Sequence, residues 1–185
     1  MNDSLFTGKL VRLAAQDPEK DAATIATWDK DTEYTRLLAV DPVTPPQLKN
    51  KRERLERMPN PHFYSFGVRT LADDKLIGFV ALLRVNHVHG DAFVGIGMGD
   101  PAYRGKGYGT DAMNLILRYA FQELNLHRVS LDAVATNARA VRSYEKCGFV
   151  LEGQTRGTEF RNGIRDNIVS MGVLREEWES KQVKS

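Results

Sequence analysis

The sequence predicts an α/β domain, or α+β in a stricter vocabulary, because helix-like and strand-like segments follow one another along its 185 residues. Two observations carry the prediction. Around Thr110 a strand, a glycine-rich loop, a helix and a second strand come in succession, which predicts a right-handed crossover between parallel strands. Short alternating runs before and after this crossover predict antiparallel neighbours, so the sheet is expected to be mixed.

The chain is expected to begin with one strand and two helices. Lys9–Ala15 alternates between apolar and polar residues like a short strand. Asp17, Pro18 and Glu19 then supply an N-cap, a proline at the first helical position and an early acid, which predict a helix. Residues 32–46 are expected to form a loop, and a strongly charged helix with a solvated face is expected to follow.

Three strands, a helix, a strand, a helix and two strands are predicted next. An antiparallel meander is expected at Tyr64–Thr70, Lys75–Val85 and Ala92–Gly99. Apolar residues recur at helical spacing over Thr110–Glu123, and a helix over Asn137–Cys147 is expected to end at a glycine in the left-handed conformation. The remaining strands are expected at residues 127–135, 149–160 and 164–174.

Composition favours an ordinary globular protein and argues against several partner classes. Hydrophobic residues make up 42% and charged residues 27%, and the net charge is +2, so neither nucleic acid nor a membrane is expected as a partner. A polar N-terminus and the lack of a long apolar run predict a cytoplasmic chain. His87 and His89 have no third ligand nearby, so no metal site is expected. We expect one domain over residues 1–185.

The segment YRGKGYGT, Tyr103–Thr110, has the features of an anion-binding loop. Alternate glycines allow successive backbone N–H groups to point one way at the start of a helix, whose dipole favours negative charge. Arg104 and Lys106 are expected to add charge-assisted contacts. Thr110 and Asp111 are expected at the N-cap and in the first turn. A tight turn without a ligand would explain one glycine but not three.

Two common nucleotide motifs do not fit this loop. A Walker A loop needs Ser or Thr after its lysine and four residues between its glycines, whereas Gly107 follows Lys106 and five residues separate Gly99 from Gly105. A dinucleotide fingerprint needs G-x-G-x-x-G, which neither GIGMG nor GKGYG supplies. Spacing alone therefore leaves the identity of the anion open.

Longer motifs give this anion an identity by resemblance. Arg104–Gly109 fits R/Q-x-x-G-x-G/A, and the loop resembles the acetyl-coenzyme A pyrophosphate loop of the GNAT N-acetyltransferase superfamily. MGDPAYRGKGYGTDAM, NARAVRSYEKCGFVLEG and FRNGIRDN with Glu177-Trp178 are similar to motifs of its RimJ/RimL branch. The resemblance follows the element order from about Lys9 to Trp178 and is motif-specific over residues 92–178.

The resemblance implies a fold, a cosubstrate and a set of binding residues. The fold would be a mixed, mostly antiparallel twisted sheet of about six to seven strands flanked by about four helices. The cosubstrate would be acetyl-CoA, with its pantetheine arm against a strand that splays from its neighbour before the loop. The cofactor-binding residues implied in this way are Ile96, Gly97, Met98, Arg104, Gly105, Lys106, Gly107, Tyr108, Gly109, Thr110 and Asn137.

The resemblance also assigns a catalytic residue. Tyr144 has the spacing of a core aromatic, but the family commonly places this hydroxyl beside the departing sulfur, where it would act as general acid. Asn137 fits both an N-cap and a contact to the pantetheine amides. Cys147 is expected to be a small apolar filler rather than a nucleophile, since no histidine lies near it. No single general base is predicted; the possible carboxylates are Glu33, Asp91, Glu152 and Asp166.

The acceptor implied by the resemblance is a primary amine: a protein N-terminus such as that of a ribosomal protein, a polyamine or a small-molecule amine. The expected acceptor cleft contains Trp28, Tyr34, Phe160 and Arg161. No acidic cluster suited to a polycation is evident there, which argues against a polyamine. A catalytically silent sensor or interaction module that binds CoA or acetyl-CoA is the alternative function. Members of the branch are often dimers, so a homodimer is a further expectation.

Overall fold

A seven-stranded sheet organises the computed structural model, which describes residues 5–38, 45, 47–56, 60–161 and 163–182. The strand order is β1-β2-β3-β4-β5-β7-β6. Only the β4–β5 pair is parallel, and the other neighbours are antiparallel, so the predicted mixed sheet is confirmed. The strands are β1 Val11–Ala14, β2 Tyr64–Thr70, β3 Leu76–Asn86, β4 Asp91–Gly97, β5 Arg128–Val134, β6 Val150–Arg161 and β7 Ile164–Leu174.

Six α-helices lie in the described part of the chain, two more than the sequence predicts. They are α1 Pro18–Trp28, α2 Thr32–Leu38, α3 Leu48–Glu56, α4 Tyr108–Arg118, α5 Ala138–Cys147 and α6 Arg175–Gln182. The two additional helices are α2 and α6. None of the helices described is both long and apolar enough to cross a bilayer.

The predicted loop over residues 32–46 is wrong at its start, where α2 forms. Asp31 stabilises the first turn of α2 by accepting a hydrogen bond from the Tyr34 N–H at 3.0 Å. The helix also buries Tyr34 in a small apolar cluster with Trp28 and Leu76. Burial of this side chain therefore stabilises a helix where the sequence pattern predicts a loop. The rest of the predicted loop cannot be compared at residues 39–44 and 46, which lie outside the described part. Helix α6 is stabilised similarly, since its Trp178 is buried in the main core.

Helix α4 begins earlier than predicted. Its N-cap is Gly107, which has a left-handed backbone and makes no capping bond with a side chain. Thr110 is therefore inside the helix, so the N-cap prediction for Thr110 is wrong. The helical segment does extend to Glu123, as predicted, but in two parts. The α-helix ends at Arg118, and a five-residue π-helical turn, Tyr119–Glu123, continues from it.

The main core forms where α4 packs on the sheet. Met113, Ile116 and Phe121 are at most 2% exposed and belong to one cluster with Ile77 and Leu82 of β3. Helix α4 contacts β1, β3 and β4 as well as α5. The loop that precedes α4 is consequently anchored to the most deeply buried part of the molecule.

Asp111 connects the start of α4 to the first strand. Its carboxylate accepts hydrogen bonds from the backbone N–H groups of Lys9, Leu10 and Val11, at 3.2, 2.7 and 3.0 Å. Asp111 thus lies in the first turn, as predicted. Its contacts within the chain show that it stabilises the edge of the sheet beside the loop.

We predict that Asp111→Asn lowers the free energy of unfolding by about 2 kcal/mol, because an amide cannot accept all three bonds and charged acceptors are the stronger ones. Urea denaturation measures the change. Glu145→Gln, the same substitution at an exposed position of α5, is the matched control and should change the value by less than about 0.5 kcal/mol. Equal effects of the two substitutions would contradict the assigned role.

Candidate functional site

The sheet opens between β4 and β5. These parallel strands pair only from Asp91–Phe93 to Arg128–Ser130. Beyond that point β4 stays paired with β3 up to Gly97, and β5 stays paired with β7 up to Val134. The two strands therefore separate, as the resemblance implied, and Val94–Gly97 has a free backbone edge on the side of β5.

A cleft of about 300 Å³ occupies this opening. Its walls come from α2, the end of β4, the glycine loop and α5 with its N-cap. The predicted residues that line it are Ile96, Gly97, Met98, Arg104, Gly105, Gly107, Gly109, Thr110, Asn137 and Tyr144. Ten of the twelve predicted site residues thus meet at one cleft; their roles in binding or catalysis remain predictions.

The glycine loop has the backbone that an anion site requires. Gly105 and Gly107 have φ angles of +75° and +91°, which strongly favour glycine. At Gly105 an added Cβ would meet nothing within 4 Å, so the conformation and not the space demands glycine there. The first N–H groups of α4 have no partner within the helix and begin at this loop. Negative charge is favoured at such a helix N-terminus.

The Arg104 side chain is already bonded to other parts of the protein. Its guanidinium donates to the backbone oxygens of Met98 and Gly99, both at 2.8 Å, and to Asp31, also at 2.8 Å. The side chain is only 17% exposed. It fastens the loop to the backbone just after β4 and to the start of α2, and its contact with a bound anion stays a prediction.

Lys106 and Tyr108 are the predicted site residues that do not line the cleft. The Lys106 side chain is exposed to solvent. The Tyr108 ring packs edge-on against Tyr103, with 5.1 Å between ring centroids. The roles of both residues in binding stay predictions.

Three cations of α5 were missed by the sequence prediction. Arg139, Arg142 and Lys146 all line the cleft, and their spacing of three and four residues puts them on one face of the helix. The spacing can be seen in the sequence, but cations spaced in this way usually form the solvent-exposed face of a helix. The sequence alone therefore gave no reason to assign them to a site. Together with the N-terminus of α4 they make one end of the cleft electropositive.

Asn137 and Thr110 both make structural hydrogen bonds at the cleft. The Asn137 side chain accepts a hydrogen bond from the Ala140 N–H at 3.3 Å, which is the predicted N-cap. The Thr110 and Ser143 hydroxyls lie 2.9 Å apart and join α4 to α5. Asn137 therefore combines a structural bond with a place in the wall of the cleft.

Tyr144 is suited to donate a proton. It is half-buried in the wall of the cleft, and burial raises the pKa of Tyr144 to about 12. The phenol therefore stays protonated across the neutral and moderately alkaline range. Cys147 lies one turn further along α5, and burial raises the pKa of its thiol to about 12. Such a thiol is a poor nucleophile, in agreement with the predicted packing role.

Of the four carboxylates considered as general bases, Glu33 alone lines the cleft. Glu152 accepts two hydrogen bonds from Arg128, and these lower the pKa of Glu152. Asp166 accepts from the Thr136 hydroxyl and from the backbone of Asn167. Asp91 is the first residue of β4 and lies at the paired end of the sheet opening.

Tyr34 is the most unusual residue at the cleft. It is 8% exposed, yet its hydroxyl has no hydrogen-bond partner among the residues that the structure describes. A Cβ built on Gly97 would lie 2.5 Å from this hydroxyl oxygen, so the phenol points at the end of β4. Burial raises the pKa of Tyr34, which keeps the group neutral.

Comparisons with known proteins agree with this geometry. Residues 11–150 match the model of the acetyltransferase (GNAT) domain family. The chain is 37% identical over 131 residues to the probable N-acetyltransferase YjcK of Bacillus subtilis, covering 69% of this chain and 71% of that protein. It is 34% identical over 130 residues to the spermidine N(1)-acetyltransferase of Vibrio cholerae, covering 68% and 75%.

A solved structure extends the likeness to nearly the whole fold. The crystal structure of spermidine N-acetyltransferase from Vibrio cholerae in complex with CoA and spermine superposes with a TM-score of 0.81. The two chains are 27% identical, and the match covers 91% of this chain and 98% of the other.

We predict that Tyr34→Phe raises the free energy of unfolding by about 1 kcal/mol. Removing a buried hydroxyl that lacks a partner removes its desolvation cost, and the ring keeps its packing. Urea denaturation of the protein without ligands measures the gain. Tyr119→Phe, at a tyrosine that packs with Phe6, Phe66 and Tyr64, is the matched control. A loss of stability in Tyr34→Phe would show that the hydroxyl has a partner.

We predict a second effect at alkaline pH. The pKa of Tyr144 is about 12 in the folded protein and about 10 in an unfolded chain. Its contribution to stability is therefore complete below pH 10 and is lost as the pH rises towards 12. Between these values wild type should lose about 2 kcal/mol more unfolding free energy than Tyr144→Phe, as measured by urea denaturation. Parallel curves for the two proteins would contradict the raised pKa.

Proposed function

The chain belongs to the GNAT acetyltransferase family, and we propose that it moves the acetyl group of acetyl-CoA to a primary amine by direct attack on the thioester. The observation that carries this proposal is the opening between β4 and β5, which ends at the glycine loop and has Tyr144 in its wall. The site combines an electropositive end, a free strand edge and a proton donor. Acetyl-CoA has a matching group for each of these: a pyrophosphate, the pantetheine amides and a thioester sulfur.

Acetyl-CoA would bind along the length of the cleft. Its pyrophosphate fits the positive-φ loop at the N-terminus of α4, and Arg139, Arg142 and Lys146 add positive charge beside it. The amides of the pantetheine arm would pair with the free edge of Val94–Gly97, as an added strand does. CoA bound to a similar protein of Vibrio cholerae supports this choice of cosubstrate.

The chemistry requires one bond to form and one to break. The amine nitrogen attacks the thioester carbon, and the carbon–sulfur bond breaks as the amide forms. Tyr144 donates its proton to the departing thiolate and later regains one from solvent. A backbone N–H at the end of β4 would stabilise the oxyanion of the tetrahedral intermediate. Glu33, the candidate carboxylate in the cleft, would take the proton that the attacking nitrogen releases.

The class of amine is a finer part of the proposal. Two similar proteins are named spermidine acetyltransferases, and YdaF of Bacillus subtilis is named a putative ribosomal N-acetyltransferase, at 32% identity over 60% of this chain and 61% of that one. Motifs of the RimJ/RimL branch favour the second kind of acceptor. We therefore propose a primary amine on a small molecule or peptide, with spermidine as the comparison substrate.

Self-association and domain organisation complete the proposal. We propose one catalytic domain for residues 1–185 and a homodimer in solution. The edge strand β6 supports the dimer, because nearly all of it is exposed, including the apolar Val150, Leu151 and Phe160.

We predict that Tyr144→Phe lowers kcat by about 100-fold and leaves the KM for acetyl-CoA within about twofold, since the lost hydroxyl acts on the leaving group. Release of free thiol in the presence of a panel of primary amines measures both constants. Tyr119→Phe is again the matched control and should match wild type. If acetyl-CoA binds tightly but wild type acetylates no amine, the proposed enzyme activity is wrong and the alternative, a catalytically silent module that binds acetyl-CoA, is favoured.

A further inference from the structure

A second, smaller cavity lies behind the cleft, between α1, α3 and the strands β2 and β3. Its volume is about 60 Å³, room for a chain of a few heavy atoms. The cavity shares two wall residues, Tyr34 and Leu38, with the cleft. Ile25, Trp28 and Phe79 give it an apolar interior.

Tyr34, whose buried hydroxyl has no partner among the described residues, lines both cavities. Leaving a buried hydroxyl without a partner is unfavourable, and native proteins rarely do so without a functional reason. The hydroxyl points at Gly97, the last residue of the strand edge along which the thioester is proposed to lie. A polar group that arrives at this junction would satisfy the hydroxyl and would stand next to the reacting carbon.

The charges in the described part of the second cavity's wall disfavour a further positive charge. The one carboxylate among these described wall residues, Asp29, is already paired with Lys51 at 2.7 Å, and both side chains are largely buried. Arg54 also lines the cavity and forms no ion pair with any residue in the described part of the chain. The remaining polar residues, Gln16 and Ser65, are neutral and bond to each other at 2.9 Å. The described wall residues therefore carry one excess positive charge.

We propose that this cavity is the subsite for the tail of the acceptor, and that it selects primary monoamines with a short uncharged or anionic tail over polyamines. The Tyr34 oxygen accepts an N–H hydrogen bond from the neutral amine, while the tail enters the cavity towards Arg54. The inference rests on the proposed acetyl transfer and names its substrate class. The proposed substrates differ from spermidine and spermine, the polyamines named for similar proteins of Vibrio cholerae.

The test compares kcat/KM for propylamine, β-alanine and spermidine at one pH and ionic strength. For wild type we expect both monoamines to exceed spermidine by at least tenfold. Arg54→Glu changes an exposed side chain and adds negative charge to the cavity, so the ratio of spermidine to β-alanine should rise at least tenfold. Lys49→Glu makes the same charge change on α3 at a position outside both cavities and should leave the ratio unchanged.

Tyr34→Phe tests the role of the hydroxyl. We expect the KM for the amine to rise three- to tenfold and the KM for acetyl-CoA to stay unchanged, since one hydrogen bond to the acceptor is lost. A rise confined to the KM for acetyl-CoA would place the hydroxyl on the donor side and overturn its assignment. A preference of wild type for spermidine, or equal effects of Arg54→Glu and Lys49→Glu, would overturn the proposed selection.

A binding measurement tests the proposed subsite independently of the proposed acetyl transfer. β-Alanine is titrated calorimetrically into wild type and into Arg54→Glu, each saturated with CoA. Binding to wild type that weakens at least tenfold in Arg54→Glu supports the subsite even if no amine is turned over, in which case only the acetyl transfer fails. Absence of binding to wild type, or equal affinity of the two proteins, overturns the subsite even if the protein acetylates other amines.

Discussion

The loss of pairing between β4 and β5 is the constraint on which the site depends. A sheet gains most from continuous hydrogen bonding, yet here two parallel neighbours separate after three paired residues. The separation is tolerable because each strand keeps its other neighbour, β3 for β4 and β7 for β5. Only one edge of each strand loses its partners. That free edge, and the cleft beside it, allow a ligand with amide groups to replace the missing strand.

Such an opening requires bracing, and two charged residues at the glycine loop provide it. Arg104 fastens the loop to the carbonyls at the end of β4 and to Asp31 before α2. Asp111 fastens the first turn of α4 to the backbone before and within β1. Both residues lie in the motif that resembles a pyrophosphate loop, yet their side chains bond to the protein itself. The motif therefore combines a backbone suited to an anion with structural side chains.

The sequence predicted the parts that depend on local pattern. Periodicity located the seven strands, and glycine spacing located the loop whose φ angles are positive. It did not predict α2, because the stability of that helix comes from the burial of Tyr34 against Trp28 of α1 and against Leu76, which is distant in sequence. The role of Arg104 was missed for the same reason, since its partners are known only once β4 and α2 are placed. The α5 cations had a visible spacing, but only the cleft distinguishes them from a solvated face.

The sequence placed Tyr34 in the expected acceptor cleft, but only the fold shows how its ring and hydroxyl are held. Its ring packs under the guanidinium of Arg104, 5.1 Å from the ring centroid, and its hydroxyl meets Gly97. The residue that braces the glycine loop therefore also fixes the phenol at the junction of the two cavities. Arg104 is itself held by Met98, Gly99 and Asp31, so the phenol is rigid before any ligand binds. A rigid phenol loses less conformational entropy on forming a hydrogen bond, and this bracing favours the proposed bond between Tyr34 and the acceptor amine.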